Sequence, residues 1–387
     1  MNSYLGYTES ELNNNKGYWT AKEVMQQPDC WRKTFDIVSE CRPALTDFLS
    51  PIINQPNFRI ILTGAGTSAF AGRAVAPALT KVTKHRIEAI ASTDLVSNPT
   101  EYFSEDYPTL LVSFARSGNS PESVAAVELA DQCLSNCYHL FLTCNTEGEL
   151  YKSSLNNERR FALAMPEESN DQSFAMTSSF TSMMLSLCIV FSENTFNKQE
   201  IENICANSEA WINEINPLLT NMSGEYVERV IYLGSGGLQG LAQESSLKLL
   251  ELTAGKIVSC FDSPLGFRHG PKSIVDDKTI IFVFVSNDPY TRKYDLDLIA
   301  ELRRDNIAKR VVAITAQADD ISVDENCSLV PGMSAAADVQ LLFPYITFAQ
   351  IYAFHSALGL GNTPDNPCPT GEVNRVVQGV NIHKLNN

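Results

Sequence analysis

The stretch Arg59-Ile60-Ile61-Leu62-Thr63-Gly64-Ala65-Gly66-Thr67-Ser68 returns later in the chain as Arg229-Val230-Ile231-Tyr232-Leu233-Gly234-Ser235-Gly236-Gly237. The step from Gly66 to Gly236 is 236 − 66 = 170 positions. The apolar run Thr109–Phe114 returns as Thr279–Phe284 at the same step, His139–Thr143 is echoed by Arg310–Thr315, and Ala175–Val190 by Phe343–Leu358. A nearly constant offset over four landmarks means two tandem copies of one unit. Each copy begins with an apolar strand, a glycine turn and a helix. Alternating strands and helices predict an α/β fold of two doubly wound, mostly parallel sheets covered on both faces.

Working outward, Ile60–Leu62, Arg86–Ile90, Leu110–Phe114, Leu140–Thr143 and Phe161–Met165 read as strands. Ala69–Leu79 and Pro121–Cys133 read as helices, the second with Pro at its first turn and Glu122 near its positive end. Residues 1–47 read as an N-terminal helical lead, with Thr20 as N-cap and Glu23 closing a capping box, and Trp31, Phe35, Ile37 and Val38 on one apolar face. Asn197–Glu225 reads as a connecting helix with Pro217 at a boundary. The expected division is a lead over 1–47, a first domain over 48–215, a second over 216–362, and a tail over 363–387 closing near the site.

Composition narrows the function. The 387 residues are 44% hydrophobic, enough for a core in each copy, and carry a formal net charge of −16. That charge argues against a broad nucleic-acid or anionic-membrane surface and leaves room for a local anion site. The opening residues 1–17 are polar, so no signal peptide is expected, and Met183–Phe191 is too short to span a bilayer. Ten cysteines without a CxxC pair suggest reduced thiols, a cytoplasmic location and no zinc site; Cys133 and Cys137 have the spacing of one helix turn.

The copies differ where chemistry belongs. Gly66, Thr67 and Ser68 sit between a strand and a helix start, where backbone N–H groups and hydroxyls bind anions. Arg116, Ser117, Gly118, Asn119 and Ser120 form a second such loop before Pro121. One loop alone would suit the pyrophosphate of a dinucleotide, yet Glu88 and Asp94 are poorly placed for its ribose. Two converging loops suit a phosphate monoester; as plain turn and cap residues they would bind nothing. In the second copy, Glu244, Lys248 and Glu251 fall on one helix face, and Arg268, His269 and Lys272 follow in a loop rich in Gly and Pro. A carboxylate and a histidine together suit sugar ring opening and proton transfer between adjacent carbons.

These motifs, Gly66-Thr67-Ser68, Ser117-Gly118-Asn119-Ser120 and Glu244/Lys248/Glu251 with His269-Gly270-Pro271, resemble the sugar isomerase (SIS) domain family in two tandem copies over roughly 48–370. They are similar to the isomerase half of glucosamine-6-phosphate synthase. The strings Glu251–Lys256 and Asp262–Ser273 resemble more narrowly the galactosamine-6-phosphate deaminase/isomerase group, formerly labelled tagatose-6-phosphate ketose/aldose isomerases. The resemblance implies that Ser68, Ser117 and Ser120 bind the sugar phosphate, that Glu251 moves the proton between C1 and C2, and that His269 assists ring opening, in relatives often from a neighbouring subunit. It implies a homodimer with a shared site, no metal or nucleotide cofactor, and a phosphorylated hexosamine substrate. Glu244 and Lys248 would polarise the substrate, and Thr177 and Ser178 match a sugar-contacting stretch. Arg375 falls where the synthase tail carries a Schiff-base lysine, and Ala115 and Met176 replace small polar residues of the synthase pattern. With about fifty residues before the first strand, ammonia from glutamine is not expected. The alternatives are a phosphosugar isomerase without deamination, a glucosamine-6-phosphate deaminase, a non-catalytic phosphosugar regulator and a nicotinamide dehydrogenase. Residues 1–47 carry no basic recognition helix, which disfavours the regulator.

Overall fold

The computed structural model describes residues 3–377 and 379–386; Met1 and Asn2 of the polar opening, and Gln378 and Asn387 of the tail, lie outside the described residues. The chain divides into two compact units. One contains Cys30–Asn170, Ser178–Lys198 and the residues from Gly371 on; the other contains the residues up to Asp29, Asp171–Thr177 and Gln199–Thr370. They are called here the first-sheet and second-sheet units.

The first-sheet unit holds five strands: β1 (Arg59–Thr63), β2 (Arg86–Ala89), β3 (Thr109–Phe114), β4 (Cys137–Thr143) and β5 (Arg160–Ala164). Their order is β2-β1-β3-β4-β5, every neighbour parallel. This is the 2-1-3-4-5 order of a doubly wound sheet. Strands β1 and β3 are buried along their whole length, which is why they read as unbroken apolar runs. Ile61, Leu111 and Phe141 form one core face with Ala126, Val127 and Ala130 of a covering helix.

The second-sheet unit repeats the pattern with β6 (Arg229–Gly234), β7 (Val258–Asp262), β8 (Thr279–Phe284), β9 (Arg310–Thr315) and β10 (Cys327–Leu329). Its order, β7-β6-β8-β9-β10, is the same and again parallel throughout. The repeat extends to register: Arg59 lies opposite Thr109, and Arg229 opposite Thr279.

Among the helices, those that matter for the site are α1 (Tyr18–Met25), α2 (Gln27–Leu49), α3 (Thr67–Thr83), α4 (Pro121–Cys133), α5 (Ser178–Phe191), α6 (Lys198–Ser223), α7 (Gly237–Leu252), α8 (Thr291–Asp305) and α9 (Asp338–Gly359). Helix α9 is long and apolar enough to cross a membrane, more so than Met183–Phe191, but 94% of its apolar window is buried inside the protein. It is the core helix that packs on α7.

Several sequence expectations need correction. Thr20 is not an N-cap: α1 starts at Tyr18, and Thr20 Oγ1 donates to Asp365 (2.7 Å). Glu23 reaches away from its own helix instead. The capping box forms earlier, between Thr8 and Glu11. Pro217 lies inside α6 rather than at a boundary, as Pro43 lies inside α2. Cys133 ends α4 and Cys137 begins β4, so their spacing spans a helix–strand connection. The loop that carries Arg268, His269 and Lys272 follows a strand, β7. All ten cysteines are free thiols.

Candidate active site

Both glycine turns stand at the carboxyl edge of their own sheet, where open α/β sheets bind ligands. In the first-sheet unit Gly64 is required by space: an added Cβ would lie 2.5 Å from Ser68 Cβ. Gly66 is required by conformation, with φ 55° and ψ −126° immediately before α3. Thr67 and Ser68 follow in the first helical turn, both buried. The second loop is braced from beside it. Asn145 Nδ2 donates to Ser117 O (2.8 Å), Leu150 N–H donates to Gly118 O (3.1 Å), and Glu149 N–H donates to Asn119 Oδ1 (2.9 Å). Gly148 packs so closely that a Cβ there would sit 2.6 Å from Ser117 O.

The members of this loop are not equivalent. Ser120 serves as the N-cap of α4, accepting from Ser123 N–H, and its hydroxyl also meets Ser123 Oγ at 2.6 Å. Asn119 gives its side-chain oxygen to the neighbouring loop. Arg116 is buried, and its Nη2 donates to the backbone oxygen of Arg375 in the tail (3.0 Å). Its Nη1 is buried without a hydrogen-bond partner, as are the hydroxyls of Thr63, Ser92 and Ser113. Thr63 and Ser113 are register partners at the ends of β1 and β3. Buried donors lacking partners mark a place short of an acceptor, which an anion would supply. Sequence reasoning missed Thr63, Ser92 and Ser113, because single hydroxyls in two apolar strands and at the start of a short helix carry no periodic signal.

The matching place in the second-sheet unit is already filled. Ser235, which corresponds to Ala65, donates its hydroxyl to Asp295 (2.6 Å), and Ser286 N–H, at the position of Arg116, donates to the same carboxylate (2.9 Å). Asp338 accepts from Ser286 Oγ (2.5 Å) and Asn287 N–H (2.7 Å). Burial pushes the Asp295 carboxyl up to about 6, against the pull of its hydrogen bonds. A built-in carboxylate thus occupies the donors that an anion would use.

Helix α7 carries the titratable group. Glu244 and Lys248 are fully buried and Glu251 is half-buried, so this face is not a solvated stripe. Lys248 Nζ lies 3.5 Å from Glu244 Oε1 and makes a closer contact with Glu251 Oε2. Burial works against the Lys248 charge, but the two carboxylates more than offset it and hold its pKa above the ordinary lysine value. The cation is therefore fixed in place, and it fixes Glu251.

The loop 262–272 is anchored by Phe267, which sits in the core with Ile281 and Val283. Ser263 caps the short helix Pro264–Phe267, and Gly270 has φ 123°. Arg268 and Lys272 do not face outward as free charges: both pair with Glu301 of α8, and Lys272 also with Asp305. His269 is exposed, two residues beyond the Phe267 anchor. Of the remaining expected residues, Thr177 and Ser178 are buried, and Arg375 is exposed. Glu88 pairs with Arg86 at 3.0 Å, which removes it from any ribose role.

One group of metal-ligand type occurs among the described residues: Asp131, Cys137 and His139, with donor atoms within 4.8 Å of one another. Cys137 and His139 lie at the amino end of β4, opposite the edge that carries the glycine turns. Asp131 is already bonded to His139 Nε2 (2.7 Å) and Arg160 (2.6 Å). Its charge is spent, so this group does not belong to the candidate site.

With this geometry in hand, comparison with known proteins is specific. The SIS domain model matches residues 52–192 and 225–358. The D-galactosamine-6-phosphate deaminase AgaS of Escherichia coli is 50% identical over 368 residues, covering 95% of this chain and 96% of the relative. The protein of the same name from Shewanella sp. (strain ANA-3) is 45% identical over 384 residues, covering 98% and 96%. The crystal structure of tagatose-6-phosphate ketose/aldose isomerase from Escherichia coli superposes with a TM-score of 0.90 at 48% identity, covering 95% of this chain and 97% of the other. The chain belongs to the SIS domain family and carries two SIS domains in tandem.

Proposed function

We propose that this chain is an amino-sugar-phosphate deaminase/isomerase that converts D-galactosamine 6-phosphate and water to D-tagatose 6-phosphate and ammonia. The observation that carries the reading is the Glu244–Lys248–Glu251 group on one buried helix face, present in a chain that matches deaminases over nearly its whole length.

Each residue has a chemical task. Gly66, Thr67 and Ser68 hold the phosphate with Arg116, Ser117, Gly118, Asn119 and Ser120, through helix-start N–H groups and hydroxyls. Within that loop Ser117 is the principal hydroxyl donor, beside the unpartnered Nη1 of Arg116, because Ser120 and Asn119 are engaged in bracing. His269 assists opening of the pyranose to the free aldehyde. Glu251 removes the C2 proton, and the C1–C2 enolamine forms as the C1 oxygen takes up a proton. Return of a proton to C1 gives a C2 imine. Water adds at C2 and ammonia leaves, so that the ketose phosphate remains. Lys248 holds Glu251 in position, and Glu244 balances the lysine charge. Thr177 and Ser178 contact the sugar. Arg375 cannot form a Schiff base at neutral pH, because its guanidinium stays protonated. The reading includes a homodimer that shares His269 across subunits, a tail that closes near the site, a hydrolytic release of nitrogen and a cytoplasmic location.

A second reading is an aldose–ketose isomerase that keeps the nitrogen; the name of the similar Escherichia coli crystal structure favours it. Ammonia release, measured side by side with galactosamine 6-phosphate and glucosamine 6-phosphate, separates the two. Release from the galacto sugar is expected. A ketose product formed without ammonia would replace the first reading by the second.

A further inference from the structure

Residues 171–177 form a segment without regular structure, yet Asp171, Ser173, Ala175 and Thr177 are fully buried. A buried loop must find partners for its backbone N–H groups. Here two buried carboxyl groups supply them, and burial with the Asp171 charge beside it pushes the Glu23 group up to about 8. Glu23 of α1 is 2% exposed and accepts from the N–H groups of Gln172 and Ser173, the latter at 3.2 Å. Asp171 accepts from Thr177 N–H (2.8 Å) and from Thr177 Oγ1 (3.1 Å). Ser173 Oγ closes the turn on Ala175 O at 2.9 Å.

Helix α1 is itself fastened at its other end. Asp365 accepts from Trp19 N–H (3.1 Å), Thr20 N–H (2.8 Å) and Thr20 Oγ1 (2.7 Å), while its own N–H donates to Lys16 O (2.7 Å). The helix is thus a crossbar from the segment after α9 to the segment before α5, all within the second-sheet unit.

The second copy shows what the crossbar replaces. There the segment before α9 is held by Asn287, whose Nδ2 donates to Met333 O (3.0 Å), Ser334 O (3.3 Å) and Ala336 O (2.9 Å). Asn287 corresponds to Ser117 at the repeat step of 287 − 117 = 170. One copy braces its pre-helix segment with the residue at this position. The other leaves that residue for the phosphate loop and takes its brace from the N-terminal lead.

We infer that Glu23 is a positioning residue for the substrate: by clamping the Gln172 and Ser173 amides it sets the backbone that presents Thr177 and leads into Ser178. The inference rests on the proposed sugar contact of Thr177 and Ser178. Glu23 touches no substrate atom and acts on binding of the sugar, not of the phosphate.

The test compares Glu23→Ala, Glu23→Gln and Glu23→Asp with Thr177→Val in the full-length protein. KM and kcat are measured with galactosamine 6-phosphate, and inorganic phosphate is measured as a competitive inhibitor. Glu23→Ala is expected to raise KM about tenfold, the effect of losing one well-placed buried hydrogen bond. Its phosphate inhibition constant should stay within about twofold, since no phosphate ligand has moved. Glu23→Gln keeps an oxygen for both amides and restores KM to within about threefold. If Glu23→Ala fails to fold, Glu23→Asp decides, because it keeps the carboxyl group and withdraws the acceptor. A wild-type KM in the folded Ala or Asp variant overturns the inference, as does a parallel loss of phosphate affinity. If Thr177→Val raises KM while the Glu23 variants do not, only the brace fails; if Thr177→Val also leaves KM unchanged, the sugar contact fails with it.

Discussion

Replacing Lys248 by methionine tests whether the α7 charges form a buried, mutually dependent group. Nζ lies 3.5 Å from Glu244 Oε1, in a side chain 1% exposed beside one that is 0% exposed. At an effective dielectric near 20, one such attraction is worth about 5 kcal/mol, most of it cancelled by desolvation. The net balance still favours the cation, because burial lowers the Lys248 pKa less than the two carboxylates raise it. A lysine whose folded pKa is raised contributes stability that is complete below its unfolded pKa and is lost as pH rises through the folded value. At neutral pH the contribution is therefore fully present. Methionine fills nearly the same volume but leaves Glu244 buried without its counter-charge. Breaking one side of a buried pair costs about 3–5 kcal/mol. Urea unfolding at pH 7.5 should show that loss as a lower midpoint with an unchanged slope. The double variant Glu244→Leu/Lys248→Met removes both charges and should recover most of the stability while remaining inactive, since Glu251 has lost its anchor. A loss below about 1 kcal/mol for the single variant would mean a solvated pair and would refute the argument.

Three further outcomes follow from the same geometry. Ser117→Ala should raise KM for galactosamine 6-phosphate about tenfold with little change in kcat, because phosphate anchoring is shared by ground and transition states; an unchanged KM would remove Ser117 from the cradle. Gly64→Ala should cost about 2 kcal/mol or more, read by thermal melting, because its Cβ would lie 2.5 Å from Ser68 Cβ; a neutral substitution would contradict that packing. His355, buried against Asn216 and Thr220, has its pKa lowered by burial from 6.5 to about 4. The unfolded chain then binds the extra proton first, so stability is complete above about pH 6.5 and falls with acidification by about 2 kcal/mol at pH 5. His355→Gln should flatten that slope, and an unchanged slope would rule this histidine out.

The tandem repeat exposes most of the fold in the sequence, because fully buried parallel strands are continuous apolar runs and each is followed by a glycine turn. Pro121–Cys133 reads with the bounds the structure shows. The short strands Val258–Asp262 and Cys327–Leu329 escape such reading, since both lie at sheet edges and are partly polar. Proline misleads at Pro217, where a long helix absorbs it. The face of Glu244, Lys248 and Glu251 is legible from spacing, whereas its burial depends on the packing of α7 against α9. Spacing also cannot show that Arg268 and Lys272 are taken by Glu301, or that Asp295 fills the second cradle, because those partners arrive from other elements. Thr20 and Glu23 illustrate the same limit: a local capping pattern is present, but remote partners claim both side chains.

The claim on which the account stands is that Glu251 carries the hydrogen transfer while other groups carry the binding. The direct measurement is Glu251→Gln, titrated with galactosamine 6-phosphate by calorimetry and assayed for ammonia and ketose phosphate. The account predicts affinity within about threefold of the parent and turnover reduced by a factor of about 10³ or more. Turnover near the parent rate would contradict it.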